Sequence, residues 1–396
     1  MLRSLGPSAL LAALAVPCAL AQDHLVTPGM PGSEDHHLDW PDLQLDWGLG
    51  FDLRAPISLS GPGRDGSVDA EVRTVDLSLR SQFHRELWGH ALLAAGEDGL
   101  ELERAVLDYS GLGGTSKLQL GLLPVDFGKQ MQARPYELLY PDRPLVLRTL
   151  LGDQVRASGL RYGDVFAPGT HSTVRASIGL YSDWVQSDLD GDSADGWKRS
   201  REVRDQPRLD ELAIGARVTG VYDVGAEGLL QWGLSAQRFR DADVVAQDGS
   251  SELRLSGADQ WLYGLDLHFG HADERVGPAW AFGGECVLGR GDFAGPVTGG
   301  TTLGLAEGDF FGYYLWAERQ TRSGRALGAL YSEVELPEQD GREALEASLY
   351  FRRPLIENSM MRFVLRHRDL PGEEPSQALL IQFVALAGDL GHGIDW

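Results

Sequence analysis

Residues 45–54 read LDWGLGFDLR. Leu45, Trp47, Leu49, Phe51 and Leu53 alternate with Asp46, Gly48, Gly50, Asp52 and Arg54, a strict period of two. Successive side chains of a strand point to opposite faces, so this segment makes a strand with one apolar and one polar face. The period recurs along the chain. It is carried by Val75, Leu77 and Leu79, by Val174, Ala176, Ile178 and Leu180, and by Leu212, Ile214, Ala216 and Val218. Trp261, Tyr263, Leu265, Leu267 and Phe269 repeat it, as do Met361, Phe363 and Leu365.

The pattern predicts sixteen strands, an even number, with no helical stretch between them. The first eight are 45–59, 68–83, 86–95, 101–110, 115–123, 153–163, 171–182 and 211–224. The second eight are 228–239, 259–270, 278–290, 309–320, 324–335, 342–352, 359–368 and 376–387. Short links at Glu97-Asp98-Gly99, Gly111–Gly114, Ala226-Glu227-Gly228 and Ser323-Gly324 read as tight turns. Long polar links fall at 183–210, 240–258 and 291–308. Short turns at one end and long loops at the other are the signature of an outer-membrane barrel. A secreted β-sandwich alternates too, but the polar faces here are rich in Gly, Ser, Asp and Arg, which suits a wet lumen, and so long a run of even hairpins favours one closed sheet. Trp88, Tyr109, Tyr162, Tyr181, Trp184, Tyr222, Trp280, Tyr313 and Tyr331 lie near strand ends, as interfacial girdles do.

The ends set the compartment. Arg3, the apolar run Ala9–Ala15 and the small-x-small site Ala19-Leu20-Ala21 predict a secretory signal peptide over 1–21. Val16-Pro17 before Cys18 fits lipid attachment poorly. Residues 22–42 are expected to be a flexible tail and 43–396 the barrel. The terminal Trp396, with apolar residues at alternate positions before it, resembles the assembly signal of bacterial outer-membrane proteins. After cleavage Cys286 is the sole cysteine, so no internal disulfide forms. No apolar run of 18 follows the signal, so no helix spans a bilayer. The formal charge of −23 argues against nucleic acid as a partner.

One stretch breaks the pattern. Residues 121–154 read GLLPVDFGKQMQARPYELLYPDRPLVLRTLLGDQ, with four prolines and little alternation. A loop this long inside a compact domain is uncommon unless it is functional. With both termini periplasmic, segment 124–152 is the third external loop. Flanking it, LQLGLLPVDFGKQ, YPDRPLVLRTLLGDQVRASGLRYG and RASIGLYSDW resemble the phosphate-selective porin family over about 60 residues. The matching positions are Gly121, Pro124, Phe127 and Gly128, then Asp142-Arg143-Pro144, then Gly159 and Gly163.

The resemblance implies a trimeric sixteen-stranded transmembrane β-barrel with an inward-folded constriction loop over 124–152 and cationic side chains in its lumen. Fixed cations can replace the hydration shell of an oxyanion in a narrow pore, and the planar fork of arginine meets two oxygens at once. Candidate constriction and anion-binding residues are Lys129, Arg134, Arg143 and Arg148 on the loop. Arg80, Arg175, Arg217, Arg362 and Arg366 join them from polar strand faces. Arg156 and Arg161 have opposite parity and cannot share a face of a regular strand. Asp126, Glu137 and Asp142 on the loop, and Asp46, Asp52, Asp76 and Asp266 on the strands, oppose a purely cationic pore. Paired charges across a waist also describe general porins.

The expected function is therefore an outer-membrane porin for passive diffusion of small hydrophilic solutes, with anions such as phosphate favoured. Its expected partners are outer-membrane lipid, small solutes and two further copies of itself. The alternatives are a non-conducting barrel plugged by 124–152 and an outer-membrane lipid hydrolase built on Ser81, His84 and His90. The run Asp188–Asp192 starts like a calcium loop but has Ser193 and Arg199 where Gly and Glu belong. His36-His37, flanked by Asp35 and Asp39, reads as part of a disordered tail rather than a metal site. No P-loop, Gly-x-Ser-x-Gly or His-Glu-x-x-His motif is present, so no cofactor and no enzyme are expected.

Overall fold

The computed structural model describes residues 45–61, 70–96, 99–134, 136–138, 140, 142–152, 154–169, 171–189, 198–202, 210–225, 228–248, 251–271, 279–296, 303–336, 342–356 and 358–388. The expected signal peptide, the tail with His36-His37 and the centre of the calcium-like run lie outside them.

Among these residues the chain forms one antiparallel sheet. It begins with β1 (Leu45–Ser60), β2 (Glu71–His84), β3 (Leu87–Gly96), β4 (Gly99–Tyr109) and β5 (Lys117–Pro124). A helix, α1 (Leu145–Leu151), precedes β6 (Gln154–Gly169), β7 (Ser172–Leu189), β8 (Lys198–Glu202) and β9 (Ala213–Val224). Next come β10 (Gly228–Asp248), β11 (Ser251–His271), β12 (Ala279–Pro296) and β13 (Leu303–Gln320). The last four are β14 (Ala326–Leu336), β15 (Arg342–Ile356), β16 (Ser359–Asp369) and β17 (Ser376–Gly388). β8 is a short addition between the extended ends of β7 and β10. The other sixteen pair in chain order, and β17 pairs with β1 to close the barrel.

The alternation sorts the side chains as its period requires, with the apolar set outside. Ile178, Leu234, Leu267, Leu315 and Leu349 are exposed, whereas Asp52, Asp76 and Asp266 are buried inside. A closed sheet with a leucine-rich exterior and carboxylates within is inside out for a water-soluble protein and right for lipid. The band can be measured along the ladder. At one end Gly228, His271, Trp280 and Arg319 lie in register; ten residues further Arg238, Trp261, Arg290 and Asp309 do so. Ten residues at about 3.3 Å, tilted about 40°, span about 25 Å, the height of a barrel's apolar band. No helix among the described residues is long and apolar enough to cross a membrane.

Three expectations need correction. A helix does interrupt the strands, because Leu145–Leu151 is buried on every side and ends at Gly152, whose φ of 78° suits only glycine. The long links 240–258 and 291–308 are mostly strand, since the β10–β11 and β12–β13 ladders run on beyond the apolar band. Tyr181 is no girdle residue: it is buried inside, while Tyr109, Tyr162, Tyr222 and Trp280 are exposed on the outside. Side-chain placement of Trp184 lies outside what is described.

Candidate functional site: the loop inside the barrel

The connection from β5 to β6 turns inward and is tied to the inner wall around much of its circumference. Pro124 ends β5. The Gly128 amide then donates to Ser235 Oγ of β10 (3.1 Å), and the Lys129 and Gln130 amides donate to Glu285 Oε1 of β12 (2.9 and 3.1 Å). Ser177 of β7 donates to Asp126 Oδ2 (2.5 Å). Arg134 forks onto both carboxylate oxygens of Asp76 on β2 (2.7 and 2.8 Å). At the helix start the Val146 amide donates to Ser332 Oγ of β14 (3.1 Å).

Glycines on the inner face make room for this packing. A Cβ at Gly50 would lie 3.0 Å from the Tyr136 ring, one at Gly264 2.8 Å from the Phe127 ring, and one at Gly312 2.6 Å from a Val146 methyl. Small inner residues that suit a wet lumen in the sequence thus serve as seats for the loop. Val125, Phe127, Met131, Tyr136, Leu138, Tyr140, Leu145 and Leu147 are all buried. So are inward residues of strands all round, including Leu92, Val106, Tyr181, Gln237, Leu262, Val287, Tyr314, Val334, Arg362 and Gln382. The loop therefore packs against inward residues from many strands at this level. Each buried leucine contributes about 2 kcal/mol toward holding it there.

The charges divide into two groups. On the wall of β1, β2, β15 and β16, Asp142 accepts from Arg54 (3.1 Å) and Arg366 (2.9 Å) and lies 3.3 Å from Arg73. Arg54 also meets Glu71, and Arg73 lies 3.9 Å from Asp52. Beside them Arg148 donates to Glu346 (2.7 Å), which Arg368 also reaches at 3.3 Å. Arg148 bonds the Arg143 carbonyl, Arg143 the Ala133 carbonyl and Arg362 the Tyr136 carbonyl. Burial alone would raise the Asp142 carboxyl, but Arg73, Arg366 and Arg54 hold it well below the usual range.

The second group faces β7, β9, β11 and β12. Arg217 lies 2.8 Å from Asp266 and 3.5 Å from Asp126. Burial opposes ionisation of Asp126, yet Arg161 and Arg217 keep its carboxyl below the ordinary value. Lys129 sits near Asp266 and Glu285; burial lowers its ammonium to about 8 against their pull. Glu137, between the two groups, is raised to about 7 by burial.

Of the nine candidates, Arg143, Arg148, Arg362 and Arg366 meet at the first wall, Lys129 and Arg217 at the second, and Arg134 at Asp76. Arg175 contributes to the field on Asp126. Arg80 lies apart, its guanidinium 4.6 Å from the Trp88 ring centroid near a tight turn. The nine candidates leave out three members of the first wall: Arg54, on the polar face of β1, Arg73 and Arg368. Arg73 has outward parity, but the register slips between Asp52 and Leu53 and brings it inward. Arg368 shares the parity of Arg362 and Arg366 and was legible but lay at the predicted strand end. A second slip, between Ala157 and Ser158, puts its extra residue on β7 and leaves Arg156 and Arg161 at opposite parity on β6. Arg156 reaches Glu101 and Glu103 while Arg161 reaches Gln119 and the Pro124 carbonyl.

Of the residues weighed for a hydrolase, His90 and Ser81 are kept apart. His90 meets Ser78 Oγ at 3.1 Å and Arg104, with inward parity, whereas Ser81 falls on the opposite face. Among the described residues no group of three His, Cys, Asp or Glu is placed to hold a metal ion.

No family model and no curated protein matches the sequence. Solved structures do. An anion-selective porin from Comamonas acidovorans is 12% identical, with a TM-score of 0.57, over 87% of this chain and 100% of that one. The outer-membrane protein OmpT of Vibrio cholerae, in a trimer form, is 10% identical with a TM-score of 0.54, over 87% and 99%. OmpF of Salmonella typhi, in complex with daunomycin, is 11% identical with a TM-score of 0.53, over 87% and 97%. At such identities the likeness establishes the fold, and the chain has that of an outer-membrane porin barrel.

Proposed function

We propose that the protein is a bacterial outer-membrane porin, exported by a cleaved signal peptide and assembled as a homotrimer, through which small anions such as phosphate diffuse. The observation that carries this reading is the arginine wall around Asp142. On this wall seven arginines (Arg54, Arg73, Arg143, Arg148, Arg362, Arg366 and Arg368) stand with four carboxylates (Asp52, Glu71, Asp142 and Glu346). A local cationic surplus in a chain of net charge −23 favours oxyanions at that level. The loop 124–152 acts as the constriction, and its arginines are the ones an anion meets.

The burial of the loop favours a second reading, a barrel that rests closed or never conducts. Planar-bilayer recording of the purified protein separates the two. Conductance steps with a reversal potential on the anion side, reduced by millimolar phosphate, support the anion porin. Cation-side current keeps the porin and discards the anion preference. Silence across a range of voltages discards conduction.

A further inference from the structure

The wall has a seam where β5 leaves it. β5 ends at Pro124, but β4 continues past its last pair with β5, at Ala105, to Gly99, and β6 continues past Arg156 to Gln154. Arg156 spans the seam and reaches Glu101 at 2.8 Å and Glu103 at 3.3 Å on β4. Behind it, between wall and loop, lies a cavity of about 30 Å³. Arg104 and Arg156 line it from the wall and Arg134 and Arg143 from the loop. The lining holds one carboxylate, Glu103, and is otherwise apolar.

Most of these charges are matched. Arg134 forks onto Asp76 and lies 3.5 Å from Glu103, Arg156 takes Glu101 and Glu103, and Arg143 donates to the Ala133 carbonyl. Arg104 is the exception. Among the described residues it has one hydrogen bond, of 3.4 Å to His90 Nδ1, and no carboxylate within ion-pair distance. His90 accepts that bond, so its ring is neutral and brings no charge. The charges that act most on Arg104 are Arg161, Glu137, Arg134 and Asp108. Both acids are engaged elsewhere. Asp108 is held by Lys117 at 3.3 Å and Gln119 at 2.5 Å. Glu137 accepts the Arg134 amide at 2.8 Å and is raised to about 7 by burial. Arg161 directs its donors to Gln119 and the Pro124 carbonyl, and Asp126, which feels its charge, already lies 3.5 Å from Arg217. Two guanidinium groups on the inner wall thus lack a carboxylate of their own.

We propose that the seam cavity holds one chloride-sized monovalent anion, a fixed counter-ion to Arg104 that joins the wall to the loop. A cation kept from water without a counter-ion is costly, and the cavity has room for one. At about 30 Å³ it admits one or two groups the size of water. A chloride ion fits, whereas a phosphate with its four oxygens does not. Arg134 and Arg143 belong to the loop, so the ion is fully held only while the loop is docked, and by mass action it favours docking. Arg143 is the one residue this site shares with the Asp142 wall. The ion is a resident one, set behind the loop, and the proposal stands whether or not the lumen conducts.

Limited proteolysis of the full-length protein in detergent tests it, with sodium chloride replacing sodium gluconate at constant ionic strength. Lys129 and Arg148 are buried in the docked loop, so tryptic cleavage after them reports undocking. A site with a dissociation constant near ~10 mM should slow that cleavage about ten-fold in ~0.1 M chloride. R104Q should lose the chloride effect and, relieved of an unmatched cation, be cleaved no faster than wild type in gluconate. R290Q, which breaks an exposed pair with Asp309 on the outer face, should keep the effect. Crystals grown in bromide should show an anomalous peak beside Arg104. Heat-dependent gel migration checks that each variant is a folded barrel. Absence of a bromide peak at the cavity overturns the proposal whatever the cleavage shows. A peak without protection in solution means an adventitious ion only, and the proposal falls. It also falls if R104Q loosens the loop alike in both salts, which would make Arg104 a purely structural residue. Phosphate protecting as well as chloride would move the ion to the open lumen and sink the assignment to this cavity.

Discussion

Replacing Asp142 with asparagine tests the loop and the arginine wall together. Asp142 meets three guanidinium groups at 3.1, 3.3 and 2.9 Å, from β1, β2 and β16. At an effective dielectric near 20, each contact is worth roughly 5 kcal/mol of gross attraction. Desolvation of the ions and repulsion among the arginines cancel most of that. Removing one partner of a buried pair costs about 3–5 kcal/mol. The side chains of Arg54, Arg366 and Arg73 are 30%, 23% and 12% exposed, which places D142N at the low end, about 3 kcal/mol. Expressed on the equilibrium between docked and undocked loop, that is a shift of roughly a hundred-fold toward undocking. The variant also removes one negative charge from the wall. Bilayer recordings should show greater conductance or open time than wild type, with the reversal potential moved further to the anion side. Heat-dependent gel migration separates an undocked loop from an unfolded barrel. A folded D142N with wild-type conductance and selectivity would refute both the docking role and the place of this wall on the ion path.

Other outcomes follow from the same contacts. R143E/R148E should weaken or reverse anion preference, read as a shift of reversal potential in a salt gradient; an unmoved potential means the loop arginines do not face the permeating ion. G264L would drive a side chain into the Phe127 ring, where a Cβ alone comes within 2.8 Å. Overpacking of this kind costs about 1–3 kcal/mol, so it should release the loop and raise conductance in an intact barrel. Glu137, raised from the ordinary 4.5 to about 7 on docking, holds a proton that the undocked loop gives up between those values. Docking therefore weakens as pH rises from about 4.5 to 7, and the cost is fully present above 7. Opening should increase across that window, and E137Q should flatten the dependence.

Period-two alternation was enough to determine the sheet, its closure and its strand count. Each side chain's face follows from its parity, and sixteen such segments joined by alternately short and long links have few other ways to cover their apolar sides. Asp52, Asp76, Arg217 and Arg362 were assigned inward on that ground, and the structure has them there. The limits were local irregularities. A register slip of one residue reverses parity, so Arg73, the extra residue on β2, joins the wall against the alternation of its neighbours. The loop had no period to read at all. Its helix is seven residues long and buried all round, so it lacks the amphipathic stripe by which a helix declares itself.

Tertiary structure alone decided what the loop does with the space. Gly50, Gly264 and Gly312 look like the small residues of a wet lumen, and only their placement opposite Tyr136, Phe127 and Val146 makes them seats. Asp142 looks like a charge that offsets Arg143 beside it. In the folded chain it instead binds Arg54, Arg73 and Arg366, which are 88, 69 and 224 positions away. Alternation is a property of neighbours along one strand, whereas an ion cluster is a meeting of strands across the barrel. Chain order carries the first, and closure of the sheet around its own loop creates the second.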